Sequence, residues 1–234
     1  MDRTLKSLSL VLSYPTQDLK AAMQEVGGIL DSDHRLSGRT RGSLRLLVQE
    51  VRSRDIYDLE EQYVGLFDRS RTLSLNLFEH VHGESRDRGG AMVSLLETYR
   101  AGGFDLATKE LPDHLPVVLE FLSMRPRVEA QEVLADAAHI MEALNIRHSR
   151  RKSPFCGVFS ALLELSGTKA DRSAVTELLG QPEVDPDNLE ALDEIWEESE
   201  VRFGPDPGAG CPQARDLLAR IDEPVRQASG ATTQ

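Results

Sequence analysis

Apolar positions recur at three- and four-residue steps over most of the chain, the period of an α-helix with one buried face. Leu5, Leu8, Val11 and Leu12 set the first stripe, which stops at Tyr14-Pro15 because proline forces its predecessor out of the helical region. A second helix is predicted from Thr16, a suitable N-cap, on Leu19, Met23, Val26 and Leu30. After the polar stretch 31–43, Leu44, Leu47, Val48 and Val51 predict a third helix. Ile56, Leu59, Tyr63, Leu66 and Phe67 predict a fourth. The period then blurs between Asp68 and Ser85, where Leu73, Leu75, Leu77 and Phe78 alternate, so a loop or a broken helix is expected.

Met92, Leu95, Leu96 and Tyr99 resume the helical step, which ends at Gly102-Gly103 as a C-cap. Pro112 precedes a further stripe, Leu115, Val118, Leu119 and Leu122. One continuous helix is predicted from about 126 to 147 on Val133, Leu134, Ala137, Ile140, Met141 and Leu144. Another begins at Pro154, and a short one covers 174–179. No run alternates long enough to make a strand. The expected fold class is therefore all-α, a single compact bundle of roughly eight to ten helices over residues 1–180. Residues 181–234 read differently. Leu189, Leu192, Ile195 and Trp196 make an amphipathic stripe, 204–210 has the Gly/Pro composition of a linker, 213–221 suits a last helix, and the tail from Ala228 is expected to be disordered.

Composition narrows the function classes. An aromatic share of 5% with one Trp favours helices over a β-sandwich, since strands are enriched in aromatic side chains. No stretch has the roughly 20 uncharged apolar residues that span a bilayer, and Asp2, Arg3 and Lys6 interrupt any signal-peptide core. A cytoplasmic protein without direct membrane insertion is expected. Cys156 and Cys211 are too few and too far apart for a zinc ribbon or a disulfide framework, and read as free thiols. Net charge is −12, but residues 182–200 alone hold nine acids and no Lys or Arg, which leaves the remainder at −3. Basic clusters at Arg35, Arg39, Arg41 and Arg45, and at Arg147, Arg150, Arg151 and Lys152, are not interleaved with aromatics. That pattern argues against nucleic acid, and the acidic segment is read as a solvated face or as a salt-sensitive contact with a basic partner.

Enzymatic signals are sparse. The chain has no GxxxxGK[ST] loop and no nucleophile elbow. Glu79-x-x-His82 and Asp136-x-x-His139 place a carboxylate and an imidazole on one helical face, and with His114 they define the alternative reading, a helical metal-dependent enzyme. His139, between Ala138 and Ile140, instead reads as a boundary histidine. No metal and no cofactor are expected.

Two segments are too polar and too specific to be packing alone. One runs from Tyr63 through Leu66-Phe67-Asp68-Arg69 to Leu77-Phe78-Glu79-His80-Val81-His82-Gly83-Glu84-Ser85-Arg86-Asp87-Arg88-Gly89. The other is Glu110-Leu111-Pro112-Asp113-His114-Leu115-Pro116, continuing through Leu119 and Glu120. Read blandly, Asp113 caps a helix, His114 bonds locally, and the charges of the first segment form surface ion pairs. Together with Leu12-Ser13-Tyr14-Pro15, Ser153-Pro154-Phe155, Trp196-Glu197-Glu198 and Cys211-Pro212, these runs resemble the NarJ-type assembly chaperones of respiratory nitrate reductase, the delta-subunit family within the wider TorD/DmsD redox-enzyme chaperones. The resemblance covers most of residues 5–212.

It implies an all-helical chaperone and no enzyme. Such a protein binds the N-terminal segment of the nitrate reductase catalytic (alpha) subunit, keeps the apo alpha–beta complex competent for molybdenum cofactor insertion, and delays membrane attachment. Contact with cofactor-synthesis proteins is a further implied partnership, and a different molybdoenzyme as client is an alternative. Pro112, Asp113 and His114 match the family's interhelical hinge beside the peptide groove, while Tyr63, Leu66, Phe67 and the Phe78–Asp87 run match its groove-side motif.

The residue chemistry is compatible with that role. An amphipathic peptide needs an apolar slot, for which Tyr63, Leu66, Phe67, Leu77, Phe78, Leu115 and Leu119 are candidates, although the same residues suit a core. Glu79, Glu84, Asp87, Asp113 and Glu120 would draw a basic segment to the rim. His80, His82 and His114 lie among those acids. A neighbouring carboxylate favours imidazolium, so a charge change near neutral pH is expected there.

Overall fold

The computed structural model describes residues 1–82, 87–107 and 109–181, with His82 described by its backbone alone. Glu84, Cys211, the apolar stripe at 189–196, the Gly/Pro stretch 204–210, the predicted helix 213–221 and the tail from Ala228 lie outside the described residues.

Each early helix starts at a side-chain cap that satisfies amide groups the helix itself leaves unpaired. In α1 (Arg3–Val11), Asp2 accepts from the amides of Thr4 and Leu5; in α2 (Gln17–Ser32), Thr16 accepts from Leu19. Ser37 caps α3 (Gly38–Ser53) and Asp55 caps α4 (Ile56–Tyr63). The fourth predicted helix does not continue as α-helix to Phe67. It passes into a π turn over Val64–Asp68, then a 3-10 turn at Arg71–Leu73 and the six-residue α5 (Leu77–His82). Gly65 lies inside the π turn, where the missing side chain weakens the helical preference.

After α6 (Asp87–Ala101) the chain turns at Gly102-Gly103, as predicted. Gly103 has φ 75°, and a Cβ on Gly102 would stand 2.8 Å from the Phe121 ring, so both glycines are needed. Next come α7 (Leu115–Ser123), α8 (Arg127–Asp136), α9 (Ala138–Arg150), α10 (Cys156–Ser166) and α11 (Arg172–Leu179). The predicted single helix 126–147 is thus two, joined at Ala137 (φ −85°, ψ 1°). The apolar period runs straight through this corner because both helices bury a face against α10, and buried Ala137 is small enough for the bend.

Helix α10 is the centre of the bundle, touching α3, α8 and α9. Val158, Phe159 and Leu162 are at 0% exposure, each worth about 1.5–3 kcal/mol in removed apolar surface. Gly157 lets α10 approach α3, since a Cβ there would meet Ser43 Cβ at 2.9 Å. Helix α1 packs on α7 and α2, α2 on α3, and α11 on α9. Arg35 ties the amino terminus down by a double contact with Asp2 (2.6 and 2.9 Å) and a further fork onto Asp33. Among the described residues there is no strand, and the all-α class holds. No helix of the described residues is long and apolar enough to cross a membrane.

Candidate functional site

The two motif segments meet. Residues 74–78 and 112–115 lie side by side with an isolated antiparallel bridge between Asn76 and His114. The Leu77 amide donates to the Asp113 carbonyl (3.1 Å) and the Leu115 amide to the Leu75 carbonyl (2.8 Å). Asp113 Oδ2 accepts from the Phe78 amide at 2.9 Å. Asp113 therefore caps a helix, as expected: it satisfies the first turn of α5, whereas α7 follows its N-cap position His114 without a side-chain cap. The Tyr99 hydroxyl of α6 donates to the Pro112 carbonyl at 2.7 Å, so three elements are laced through one short segment.

Most of the predicted apolar slot is core. Tyr63, Phe67, Leu77, Phe78, Leu115 and Leu119 are all buried, and of that set Leu66 alone is half-exposed. Tyr63 donates its hydroxyl to the Leu12 carbonyl and packs against Tyr14 and Phe67, with ring centroids 5.4 and 5.0 Å apart. Phe67 continues the aromatic run to Phe155 and His148. Beside Tyr63, a narrow cleft between α2, α3 and α4 is walled by Leu19, Met23, Leu47, Val51 and Leu59. Its ≈ 20 Å³ of open space suffices for about one water.

The polar candidates are also largely engaged within the chain. Arg88 pairs with Glu79 at 3.1 Å, and Lys6 with Glu120. Burial alone would raise the Glu79 pKa, but hydrogen bonds from Ser74 and Arg88 outweigh it and hold the carboxyl below its ordinary value. Asp113 shows the opposite balance. At 0% exposure, burial pushes it up to about 6 despite the Phe78 amide and the Arg88 charge. Asp87 is exposed in the first turn of α6.

The histidine expectation is overturned where it can be read. His80 is buried, its Nε2 2.9 Å from the Ser74 carbonyl, and desolvation lowers its pKa even though Ser74 and Glu79 act in the other direction. His114 is lowered too, by burial, with Glu110 at 3.8 Å compensating only in part. Desolvation beats the neighbouring carboxylates, so both imidazoles are held neutral rather than charged. The rival metal set is not assembled among the described residues: no three His, Cys, Asp or Glu side chains come together there to hold an ion.

Two groups central to this geometry were not singled out from the sequence. Arg147, grouped there with surface bases, is at 0% exposure and donates to the carbonyls of Thr72 (2.8 Å) and Leu178. Its position three residues after Leu144 and seven after Ile140, on the apolar face of α9, was the available signal. His148, also at 0%, stacks on Phe159 with centroids 5.0 Å apart and contacts Ser153 Oγ at 3.0 Å.

The sequence pattern of the family described as nitrate reductase delta subunit matches residues 33–161, which takes in both laced segments. The chain belongs to this family. It is 41% identical over 203 residues to the nitrate reductase molybdenum cofactor assembly chaperone NarJ of Escherichia coli K12, covering 87% of this chain and 86% of that one. It is 37% identical to the probable nitrate reductase molybdenum cofactor assembly chaperone NarW of the same organism, over 88% of this chain and 86% of the relative. The probable NarJ of Bacillus subtilis is 29% identical over 68% of this chain and 86% of its own length. For a delta-subunit family member, the laced segments form a joint between α5, α6 and α7 rather than an open trough.

Proposed function

We propose that this protein is a system-specific assembly chaperone for a nitrate reductase, acting in the cytoplasm without chemistry of its own. Its client contact is the N-terminal segment of the catalytic (alpha) subunit in the apo alpha–beta complex. By holding that segment it keeps the apoenzyme competent for molybdenum cofactor insertion and delays membrane attachment. The observation that carries this reading is the family match through residues 33–161, extended by 41% identity to an assembly chaperone over 87% of the chain.

Peptide recognition at the two motif segments is part of the proposal. Leu66 and Val81 are half-exposed apolar side chains of the first segment, Leu111 is exposed in the second, and Asp87 is exposed at the start of α6. An amphipathic basic segment would place its anchors on Leu66 and Val81 and its charge near Asp87. Since the deeper candidates Phe67, Phe78, Leu115 and Leu119 are buried, their use requires the 74–78 and 112–115 segments to part on binding.

Calorimetric titration of the full chain with a synthetic peptide covering the first fifteen or so residues of the alpha subunit tests this. Saturable one-to-one binding, weakened several-fold by Leu66→Ala and Leu111→Ala with the fold intact by circular dichroism, is expected. Absence of heat and of any peptide-induced change, with the protein folded, would refute the peptide reading.

A further inference from the structure

Two sequence motifs that the joint between α5, α6 and α7 leaves unexplained, Leu12-Ser13-Tyr14-Pro15 and Ser153-Pro154-Phe155, meet at the narrow cleft beside Tyr63. Ser13, Pro15 and Phe155 line it, and α4 supplies Leu59, Gln62 and Tyr63 to its wall. With ≈ 20 Å³ of open space, room for about one water, the cleft admits no leucine-sized side chain while α4 is seated. Helix α4 is lightly held. Leu59 and Tyr63 are its only buried residues. Beyond them it is tied by the Tyr63 hydroxyl on the Leu12 carbonyl and by Arg54, which donates to the Gln62 side chain (2.9 Å) and the Asp58 carbonyl (3.4 Å) while also pairing with Glu50 (3.0 Å). It starts from the extended pair Arg54-Asp55 (ψ 158° and 151°) and ends in the π turn that contains Gly65, so the backbone can pivot at both ends.

The charge of α4 selects what an opening there would admit. Residues 55–61 hold Asp55, Asp58, Glu60 and Glu61 and no base. Among the described residues the side chains of Asp58, Glu60 and Glu61 make no ion pair, whereas the neighbouring bases are engaged: Arg54 as above, and Lys20 on the Arg54 carbonyl. We propose that α4 is an acidic flap over an apolar cleft, and that it lifts to take an apolar side chain of a basic amphipathic helix presented by a partner protein. Leu19, Met23, Leu47 and Val51 receive the anchor, and the acids of the flap attract the Lys or Arg side chains that flank it. No wall of the cleft belongs to segments 74–78 or 112–115, so this docking place is separate from the joint at which client-peptide recognition is proposed.

Two amidated model helices of about 18 residues serve as probes, one of leucine and lysine, the other of leucine and glutamate with the same apolar face. Calorimetric titration into the full chain should give saturable one-to-one binding of the lysine helix and none of the glutamate helix. Asp58→Lys/Glu61→Lys should weaken that binding several-fold, whereas Glu97→Lys/Glu132→Lys, the same charge change at exposed positions of α6 and α8, should leave it unchanged, with circular dichroism to verify both folds. Hydrogen exchange supplies the second readout. In the free protein the amides of 59–63 should exchange at least about tenfold faster than those of buried positions in α3, and the lysine helix should alter exchange in α4 while leaving α6 as it was. No binding of the lysine helix, equal binding of both helices, or equal loss in the two charge-reversal variants would each overturn the proposal. Binding without a change in α4 exchange would place the helix on another surface and overturn it as well, as would an α4 that exchanges no faster than α3.

Discussion

Replacing Asp113 by Asn should make the protein's stability less dependent on pH, and the size of the effect follows from the site. The carboxyl is at 0% exposure, Oδ2 takes the Phe78 amide, and Oδ1 has no hydrogen-bond partner among the described residues. Burial raises its pKa to about 6 from the ordinary 3.8. A raised folded-state pKa means that the native protein holds this proton more tightly than the unfolded chain, so stability falls as pH rises from about 4 through 6 and is level above that. With each pKa unit worth about 1.36 kcal/mol, the whole shift amounts to roughly 3 kcal/mol, of which about 2 kcal/mol is lost between pH 4.5 and 7.5. Asn keeps an acceptor for the Phe78 amide and cannot ionise. Its own buried NH2 adds a cost that does not vary with pH. Urea unfolding of both proteins at the two pH values cancels every other titration in the difference. Asn should gain about 2 kcal/mol relative to Asp on going from pH 4.5 to 7.5. A difference that stays constant within about 0.5 kcal/mol would show that the Phe78 amide and Arg88 stabilise the carboxylate as much as burial opposes it, and the argument would fail.

Other perturbations test the frame around the site. Arg147→Ala leaves the Thr72 and Leu178 carbonyls without their donor and opens a cavity beneath α11, so a loss of about 3 kcal/mol or more is expected in chemical denaturation. Gly157→Ala drives a methyl to 2.9 Å from Ser43 Cβ and 3.3 Å from the Leu44 amide nitrogen; separating α10 from α3 should cost about 1–3 kcal/mol, read as a lowered Tm. For Asp2 and Asp33, burial acts upward but the hydrogen bonds and charge of Arg35 win, holding both below the ordinary carboxylate range. Their stabilisation is present above about pH 4 and is lost as pH falls through the depressed values. Arg35→Met should therefore lower the urea midpoint at pH 6 and flatten its decline on acidification; an unchanged acid limb would contradict this.

The helices were legible because nearly every one buries a stripe, and a stripe is written in sequence at the helical period. Thr16 as a cap and Gly102-Gly103 as a stop were equally local signals, and both occur in the structure. The errors arose where tertiary contacts override the period. The corner at Ala137 is invisible because Val133, Leu134, Ile140 and Met141 are buried on either side of it, and a bend between two buried stripes leaves the 3.6 period almost unbroken. The π turn after Tyr63 is hidden for a similar reason: Phe67 is buried in the same aromatic run that Tyr63 begins.

The site was harder to read because recognition surfaces and internal lacing use the same residue types. Glu79, His80, Asp113 and Glu120 have the composition of a charged rim, yet Arg88, the Ser74 carbonyl, the Phe78 amide and Lys6 already engage them. Which role a polar residue takes depends on burial, and burial here depends on residues some 35 positions apart meeting, as Phe78 and Asp113 do. The same fact constrains client binding. A peptide that used only the half-exposed and exposed positions Leu66, Val81, Asp87 and Leu111 would leave the Phe78–Asp113 bond intact, and its affinity would be indifferent to Asp113→Asn. A peptide that reached Phe78 and Leu115 would have to break that bond along with Leu77–Asp113 and Leu115–Leu75, spending binding energy on it. Calorimetry on wild type and Asp113→Asn at pH 7.5 separates the two: equal affinities mean the peptide rides on the closed joint, whereas a several-fold difference means that binding opens it.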